Sequence, residues 1–203
     1  VRSVWDYTRR REEMLAWAER VAGLTRLANP AEVLRWNSDK RYLGDLDRAG
    51  VPVVPTAFAA PGEAVAWPDA DEIVVKPAVS AGALDTERYP AARRADAQAH
   101  VARLHADGRT AMVQPYLRAV EDERAETLLV MLGGAFSHAL RKGPLLVPGL
   151  ELVGGIFVEE DIRPAMPTDA ELRAAEAALA AVPGGAGELL YARGDVVGGA
   201  HGP

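Results

Sequence analysis

Glu72-Ile73-Val74-Val75-Lys76-Pro77-Ala78-Val79-Ser80-Ala81-Gly82-Ala83 is the stretch on which the fold turns. Three β-branched residues in a row read as a buried strand, Pro77 breaks it, and small residues follow as far as Thr86. Lys76 therefore stands at the end of a buried strand, just before a loop of small residues. That pairing suits an anionic phosphate, which is bound by backbone amides in such loops and by lysine as a mobile point charge. A single lysine is ordinarily no more than a solvated side chain, but one led into by Ile-Val-Val is harder to read that way.

Working outward, the pattern predicts alternating helices and strands without a regular βαβ rhythm, which makes the class α+β. Val1 to Trp5 reads as the inside of a strand. Met14, Leu15, Ala18, Val21 and Ala22 then recur at helical spacing up to Gly23. Arg9-Arg10-Arg11, followed at once by Glu12-Glu13, reads as the solvated first turn of that helix. Asn29-Pro30-Ala31-Glu32 has the form of a helix start, with Asn29 as the cap. A second start at Ser38 puts Lys40 in a first helical turn, with Tyr42, Leu43, Leu46 and Ala49 on one face and Gly50 as the stop. Val51 to Thr56 reads as an edge strand because of Pro52 and Pro55. After the small-residue loop, Ala97, Val101 and Leu104 mark a helix closed by Gly108, and Thr110 to Gln114 a strand.

In the second half, Gly133-Gly134 between Thr127–Leu132 and Ala135–Arg141 is a hairpin signal. Residues 143–167 read as irregular. Thr168-Asp169-Ala170-Glu171 is a capping box ahead of a helix with Leu172, Ala175, Leu179 and Val182 inward. Glu188 to Val197 is a last strand, and residues 198–203 look like a hairpin turn without its second strand. Both ends of the chain look cut.

Composition narrows the function classes. Of 203 residues 49% are hydrophobic and none is cysteine, which excludes disulfides, thiolate metal sites and cysteine nucleophiles. The net charge of -6 speaks against a nucleic-acid partner. No apolar run approaches the roughly 20 residues of a membrane-spanning helix, and no targeting segment precedes Val1, so a cytoplasmic enzyme is expected. The four histidines, at 100, 105, 138 and 201, show no metal-ligand spacing.

Four segments carry a resemblance. Asn37-Ser38-Asp39-Lys40, Ile73-Val74-Val75-Lys76-Pro77, Val113-Gln114-Pro115-Tyr116-Leu117 and Tyr191-Ala192-Arg193-Gly194-Asp195 occur in the order and spacing of the ATP-grasp superfamily. None is specific alone; four in order identify the chain as similar to that superfamily, and within it to the prokaryotic glutathione synthetase-like ligases and the D-cycloserine-forming cyclo-ligase. The resemblance implies two α+β lobes clasping ATP, incomplete at both ends. Residues 1–28 would be the tail of a preceding substrate domain, 29–113 the small lobe with its phosphate-cover loop, and 114–203 the large lobe, cut before its last metal-binding strand.

Family roles then fall on particular positions. Lys40 and Lys76 resemble the lysines that hold the ATP phosphates, and Ser80, Ala81 and Gly82 lie in the mobile phosphate cover. Gln114, Pro115, Tyr116 and Leu117 are similar to the hinge that binds the adenine edge. Glu126 resembles the acid on the ribose hydroxyls; Ala125 stands where the family has Gly, so Glu121 is a second candidate. Arg141 and Lys142 point to opposite faces of a strand, and one of them would reach the transferring phosphate or the substrate carboxylate; Arg193 joins them as a catalytic candidate. Asp195 resembles the first magnesium-binding acid, with Gly194 where the family has Val or Ile. Its partner acids would follow Pro203, so the chain as written is expected to bind nucleotide weakly and turn over no ATP.

The implied chemistry is carboxylate activation. ATP phosphorylates a carboxylate, and a nitrogen nucleophile displaces phosphate from the acyl phosphate, with protein groups positioning and neutralising charge. The partners implied are ATP, Mg2+, a small carboxylic acid and a nitrogen nucleophile, with homo-oligomerisation left open. The alternative is a non-catalytic nucleotide-binding module lacking a complete metal site. Trp5-Asp6-Tyr7 reads equally as an aromatic packing cluster or a substrate contact.

Overall fold

A computed structural model describes residues 5–121, 126–143, 152–153, 157–158 and 162–198. The readings made for Val1 to Val4, Ala125 and residues 199–203 lie outside them.

After a single helical turn at Trp5–Thr8, α1 (Arg11–Ala22) and α2 (Ala31–Asn37) pack on each other, and α3 (Tyr42–Arg48) follows. The next elements are β1 (Ala57–Ala59), β2 (Glu72–Pro77), β3 (Glu87–Pro90), α4 (Arg94–Ala106) and β4 (Ala111–Pro115). The strands form one antiparallel sheet in the order β1-β4-β2-β3. Residues alternate across it. Ile73 and Val75 of β2, Tyr89 of β3 and Ala111 and Val113 of β4 bury themselves against Ala97, Val101 and Leu104 of α4. Val74, Lys76, Met112 and Gln114, paired in register as Val74 with Gln114 and Lys76 with Met112, take the other face.

A second antiparallel sheet, ordered β10-β5-β6-β9, uses β5 (Glu126–Leu132), β6 (Ala135–Lys142), β9 (Ile162–Ala165) and β10 (Tyr191–Val197). The short strands β7 (Leu152–Val153) and β8 (Phe157–Val158) pair with each other. The β5–β6 hairpin turns on Gly133 and Gly134 with φ of 58° and 81°, the double left-handed geometry that a two-residue turn requires. Helix α5 (Asp169–Ala180) covers one face of this sheet, where Leu129, Met131, Ala175 and Leu179 form the core with Val33 of α2. Both halves of the capping box are made: Glu171 N–H donates to Thr168 Oγ1 at 3.2 Å and Thr168 N–H to Glu171 Oε2 at 2.6 Å.

Several readings of the sequence need correction. Val51 to Thr56 is not a strand; Pro52 and Pro55 have no N–H to give a ladder, and pairing with β4 begins only at Ala57. Strand β3 was not foreseen, because Glu87-Arg88-Tyr89-Pro90 is too short and polar to show. Asn29 does not cap α2, whose N-cap is Pro30 without a side-chain bond. Held at φ 67°, Asn29 reaches to β10 instead, accepting from Leu190 and Tyr191 N–H at 2.9 and 3.2 Å and donating to the Tyr191 carbonyl at 2.6 Å. Arg11 is not solvated; its guanidinium is spent on Ser38, Arg35 and Glu12.

Candidate functional site

Lys76 leaves the first sheet on the face away from α4, as the Ile73–Val75 alternation requires. Lys40 comes from the corner between α2 and α3. Its backbone N–H donates to the Ala78 carbonyl at 2.9 Å, and its ammonium donates to the Ser80 carbonyl and hydroxyl at 2.7 and 2.9 Å. The corner and the small-residue loop are thereby joined, with Ser80 itself buried. Tyr7 adds a bond from its hydroxyl to the same Ser80 carbonyl at 3.4 Å. In the loop, Gly82 and Ala83 both have positive φ, 61° and 59°, so the chain turns tightly just past Ala81. The Arg109–Asp85 ion pair at 2.5 Å holds its far end.

The electrostatics of the two lysines are unfavourable in isolation. Burial, with the neighbouring charge of Lys76, pushes the Lys40 ammonium down to about 8, against an opposing pull from Asp39. Burial likewise lowers Lys76, which Glu126 counteracts and Lys142 reinforces. The charge of Lys76 thus acts on Lys40, and those of Lys142 and Glu126 act on Lys76. Lys142 and Glu126 sit opposite in the β5–β6 ladder, Nζ to Oε2 3.8 Å.

The two neighbours on β6 separate as their alternation demands. Arg141 lies toward α5, donating to Thr127 Oγ1 and standing 3.4 Å from Glu171. Glu171 therefore serves both the helix cap and a buried polar cluster with Thr127 and Arg141. Lys142 takes the opposite face, the one shared with Glu126. Of the two candidates for the phosphate, Lys142 is the one brought to the lysine cluster.

In the segment expected to be the hinge, Gln114 is buried with its amide on Thr56 Oγ1 at 2.7 Å, Pro115 pairs with Ile73, and Tyr116 N–H donates to the Glu72 carbonyl at 2.9 Å. Leu117 accepts from Val120 N–H through its carbonyl at 3.1 Å. Glu121 belongs to a charged network: Arg88 binds it at 2.5 Å, forks onto both oxygens of Glu72 at 2.9 and 2.7 Å, and lies 3.6 Å from the Tyr116 ring centre. Tyr116 Oη also donates to Glu121 at 2.9 Å. Of the two acids considered for the ribose, Glu121 is committed to this brace, and Glu126 is the one near Lys76.

On β10, Arg193 and Asp195 share a face and make a two-pronged ion pair at 2.7 and 2.8 Å, which favours the charged guanidinium against its partial desolvation. Tyr42, packed on Trp36 with ring centres 4.9 Å apart, lies within electrostatic reach of Asp195, Tyr7 and Arg193. Nothing in the sequence marks Tyr42 beyond its place on a helix face. Gly194 points the other way, to α5, where an added Cβ would meet the Ala175 Cβ at 3.4 Å. Among the described residues no three His, Asp or Glu side chains gather in a group able to hold a metal ion. No described helix is long and apolar enough to cross a membrane.

Comparison with known proteins adds the family. The family described as D-cycloserine synthetase DcsG, N-terminal domain, matches residues 1–29. The cycloserine biosynthesis protein DcsG of Streptomyces lavendulae is 41% identical over 215 residues, which cover 99% of this chain and 70% of that protein. The crystal structure of D-cycloserine synthetase DcsG superimposes with a TM-score of 0.83 at 37% identity, covering 99% of this chain and 71% of that one. The ATP-grasp ligase PsnB, solved with a phosphomimetic variant of its minimal precursor, Mg and ADP, gives 0.57 at 19% identity over 95% of this chain and 60% of its own, a likeness of fold alone.

Proposed function

The chain belongs to the family of D-cycloserine synthetase DcsG, and on that premise we propose that it is an ATP-dependent carboxylate–nitrogen ligase that works through an acyl phosphate. The observation that carries this reading is the cluster of Lys40, Lys76 and Lys142. Two of its ammonium groups are pushed down by burial, and Lys40 also by the charge of Lys76. Glu126 and Asp39 offset that cost only in part, and a polyphosphate would add the negative charge that favours the ammonium forms further.

In this reading Lys40 and Lys76 hold the nucleotide phosphates beneath the Ser80–Ala81–Gly82 turn. Lys142 faces the transferring phosphoryl group, and Glu126 takes the ribose hydroxyls. The adenine edge falls to the Leu117 amide and the Tyr116 carbonyl, since the Tyr116 amide is engaged by Glu72. The lobes divide at residues 113 and 114. Arg193 is the cation for the reacting carboxylate. Magnesium would be the usual companion of the nucleotide, and Asp195 its first candidate ligand. Asp195 is paired with Arg193, and the described residues offer no second and third ligand beside it, so they do not by themselves build a metal centre. The steps below use the protein's own groups.

A carboxylate oxygen attacks the γ-phosphorus, the bond to the bridging oxygen breaks, and ADP leaves with its electron pair. The nitrogen nucleophile then attacks the acyl carbon, the carbon–oxygen bond breaks, and inorganic phosphate departs carrying an oxygen that began in the carboxylate. The nitrogen releases its proton to solvent. The relative's product is a ring closed through a carbonyl–nitrogen bond, so the substrate class proposed is an amino acid with nitrogen on its β-oxygen, ligated within one molecule. Carboxylate-18O β-aminooxy-D-alanine with ATP and the full-length protein tests this. Phosphate carrying one 18O is expected. Unlabelled phosphate would overturn the acyl phosphate, and the absence of ATP-dependent ring closure would overturn the substrate class.

A further inference from the structure

Arg11 lies outside the ATP-grasp part of the chain, at the first turn of α1, yet its guanidinium is only one-fifth exposed. Nε donates to Ser38 Oγ and Nη2 to the Arg35 carbonyl, both at 2.8 Å, while Nη1 pairs with Glu12 at 2.9 Å. Arg35 is in the last turn of α2 and Ser38 is the C-cap. A helix leaves its last carbonyls without partners and carries partial negative charge there. Arg11 meets both demands with one rigid fork, which a lysine cannot reproduce.

Ser38 is fixed from three directions. Its N–H donates to the Leu34 carbonyl at 3.1 Å, and its hydroxyl accepts from Arg11 and donates to the Arg35 carbonyl at 3.2 Å. Asp39, next in the chain, is buried and ties down Arg41 through its backbone N–H and its guanidinium. Lys40 then hangs between this corner and Ala78. Residues 38–41 lie between α2 and α3 and belong to neither. What aims Lys40 is therefore the set of bonds on either side of it, and Arg11 supplies the outer one.

We propose that Arg11 is a positioning residue for Lys40, setting through Ser38 the place from which that lysine meets nucleotide phosphate. The inference rests on the phosphate role of Lys40 and links the segment ahead of the ATP-grasp part to the strength of nucleotide binding.

The test is calorimetric titration of the chain with ATP and with adenosine, for Arg11→Ala, Arg11→Lys, Ser38→Ala, the double variant Arg11→Ala/Ser38→Ala, and Lys40→Ala. Arg11→Ala is expected to weaken ATP about tenfold, the scale of one charge-assisted hydrogen bond, and to leave adenosine within about twofold. Arg11→Lys should recover part of the loss. Ser38→Ala should cost about as much as Arg11→Ala, and the double variant no more than either, because both cut one connection. Equal loss of ATP and adenosine would show a merely structural role and overturn the inference. So would unchanged ATP affinity in Arg11→Ala while Lys40→Ala weakens ATP. Unchanged ATP affinity in Lys40→Ala would instead overturn the phosphate role, and this inference with it. Should Arg11→Ala fail to fold, the Arg11→Lys and Ser38→Ala titrations decide by the same criteria.

Discussion

Lys40 couples stability and ligand binding to pH. Its folded value is about 8 against an ordinary lysine at 10.5, so the unfolded chain binds the proton more tightly. Below about pH 8 the ammonium is charged in both states and the folded protein bears the cost of holding it. As pH rises from about 8 to 10.5 the folded protein loses the proton first and the cost is relieved, so this group makes stability rise across that window. Urea unfolding at pH 7 to 10 should show that rise in the native protein and lose it in Lys40→Met, once the titration of other groups is subtracted through the same variant. ATP affinity should move the opposite way, falling above pH 8 as the charge that meets phosphate is lost. An ATP affinity flat from pH 7 to 10 would remove Lys40 from the site.

Lys76 was legible as a cation at a structural junction because an apolar run leads into it, whereas the helix start expected at Ser38 is absent: Ser38 ends α2, α3 begins at Tyr42, and Lys40 lies in the corner between them. The choice between Arg141 and Lys142 was not legible, since alternation says only that they face apart; which face holds α5 is a tertiary fact, fixed by Thr127 and Glu171. Glu121 against Glu126 was open for the same reason, and the Arg88 brace that engages Glu121 starts in a strand the sequence did not reveal. Arg11 was misread because a charge run beside acids looks solvated until the helix that receives it is known.

Among the elements, those coded by local chemistry were readable: the Gly133-Gly134 hairpin and the Thr168 capping box. Those coded by partners were not, as with Asn29, which has the form of a cap but is recruited by Leu190 and Tyr191 far along the chain. Gly194 on β10 is a case where tertiary packing explains a departure from the family pattern. Its missing side chain faces Ala175 on α5, and a Cβ just fits at 3.4 Å. Gly194→Ala is therefore expected to be neutral or to stabilise by roughly 0.5 kcal/mol, through a less flexible unfolded chain. Gly194→Val, adding two methyls against α5, should destabilise by about 1–3 kcal/mol. Ala175→Gly should recover part of that loss in the double variant. Denaturant midpoints check all three, and a stabilising Gly194→Val would show that α5 yields easily.

The molecule as a whole carries an excess of acid, yet Lys40, Lys76 and Lys142 come together from the corner between α2 and α3 and from its two four-stranded sheets. That contrast suits the nucleotide phosphates of the proposed function. The most direct test is the affinity of native protein and Lys76→Ala for adenosine, AMP, ADP and ATP, measured side by side by calorimetry at fixed salt. If Lys76 serves the phosphates, the two proteins bind adenosine alike and the deficit of the variant grows as phosphates are added, reaching about tenfold or more with ATP. A deficit of the same size for all four ligands, or none for any, would contradict the account.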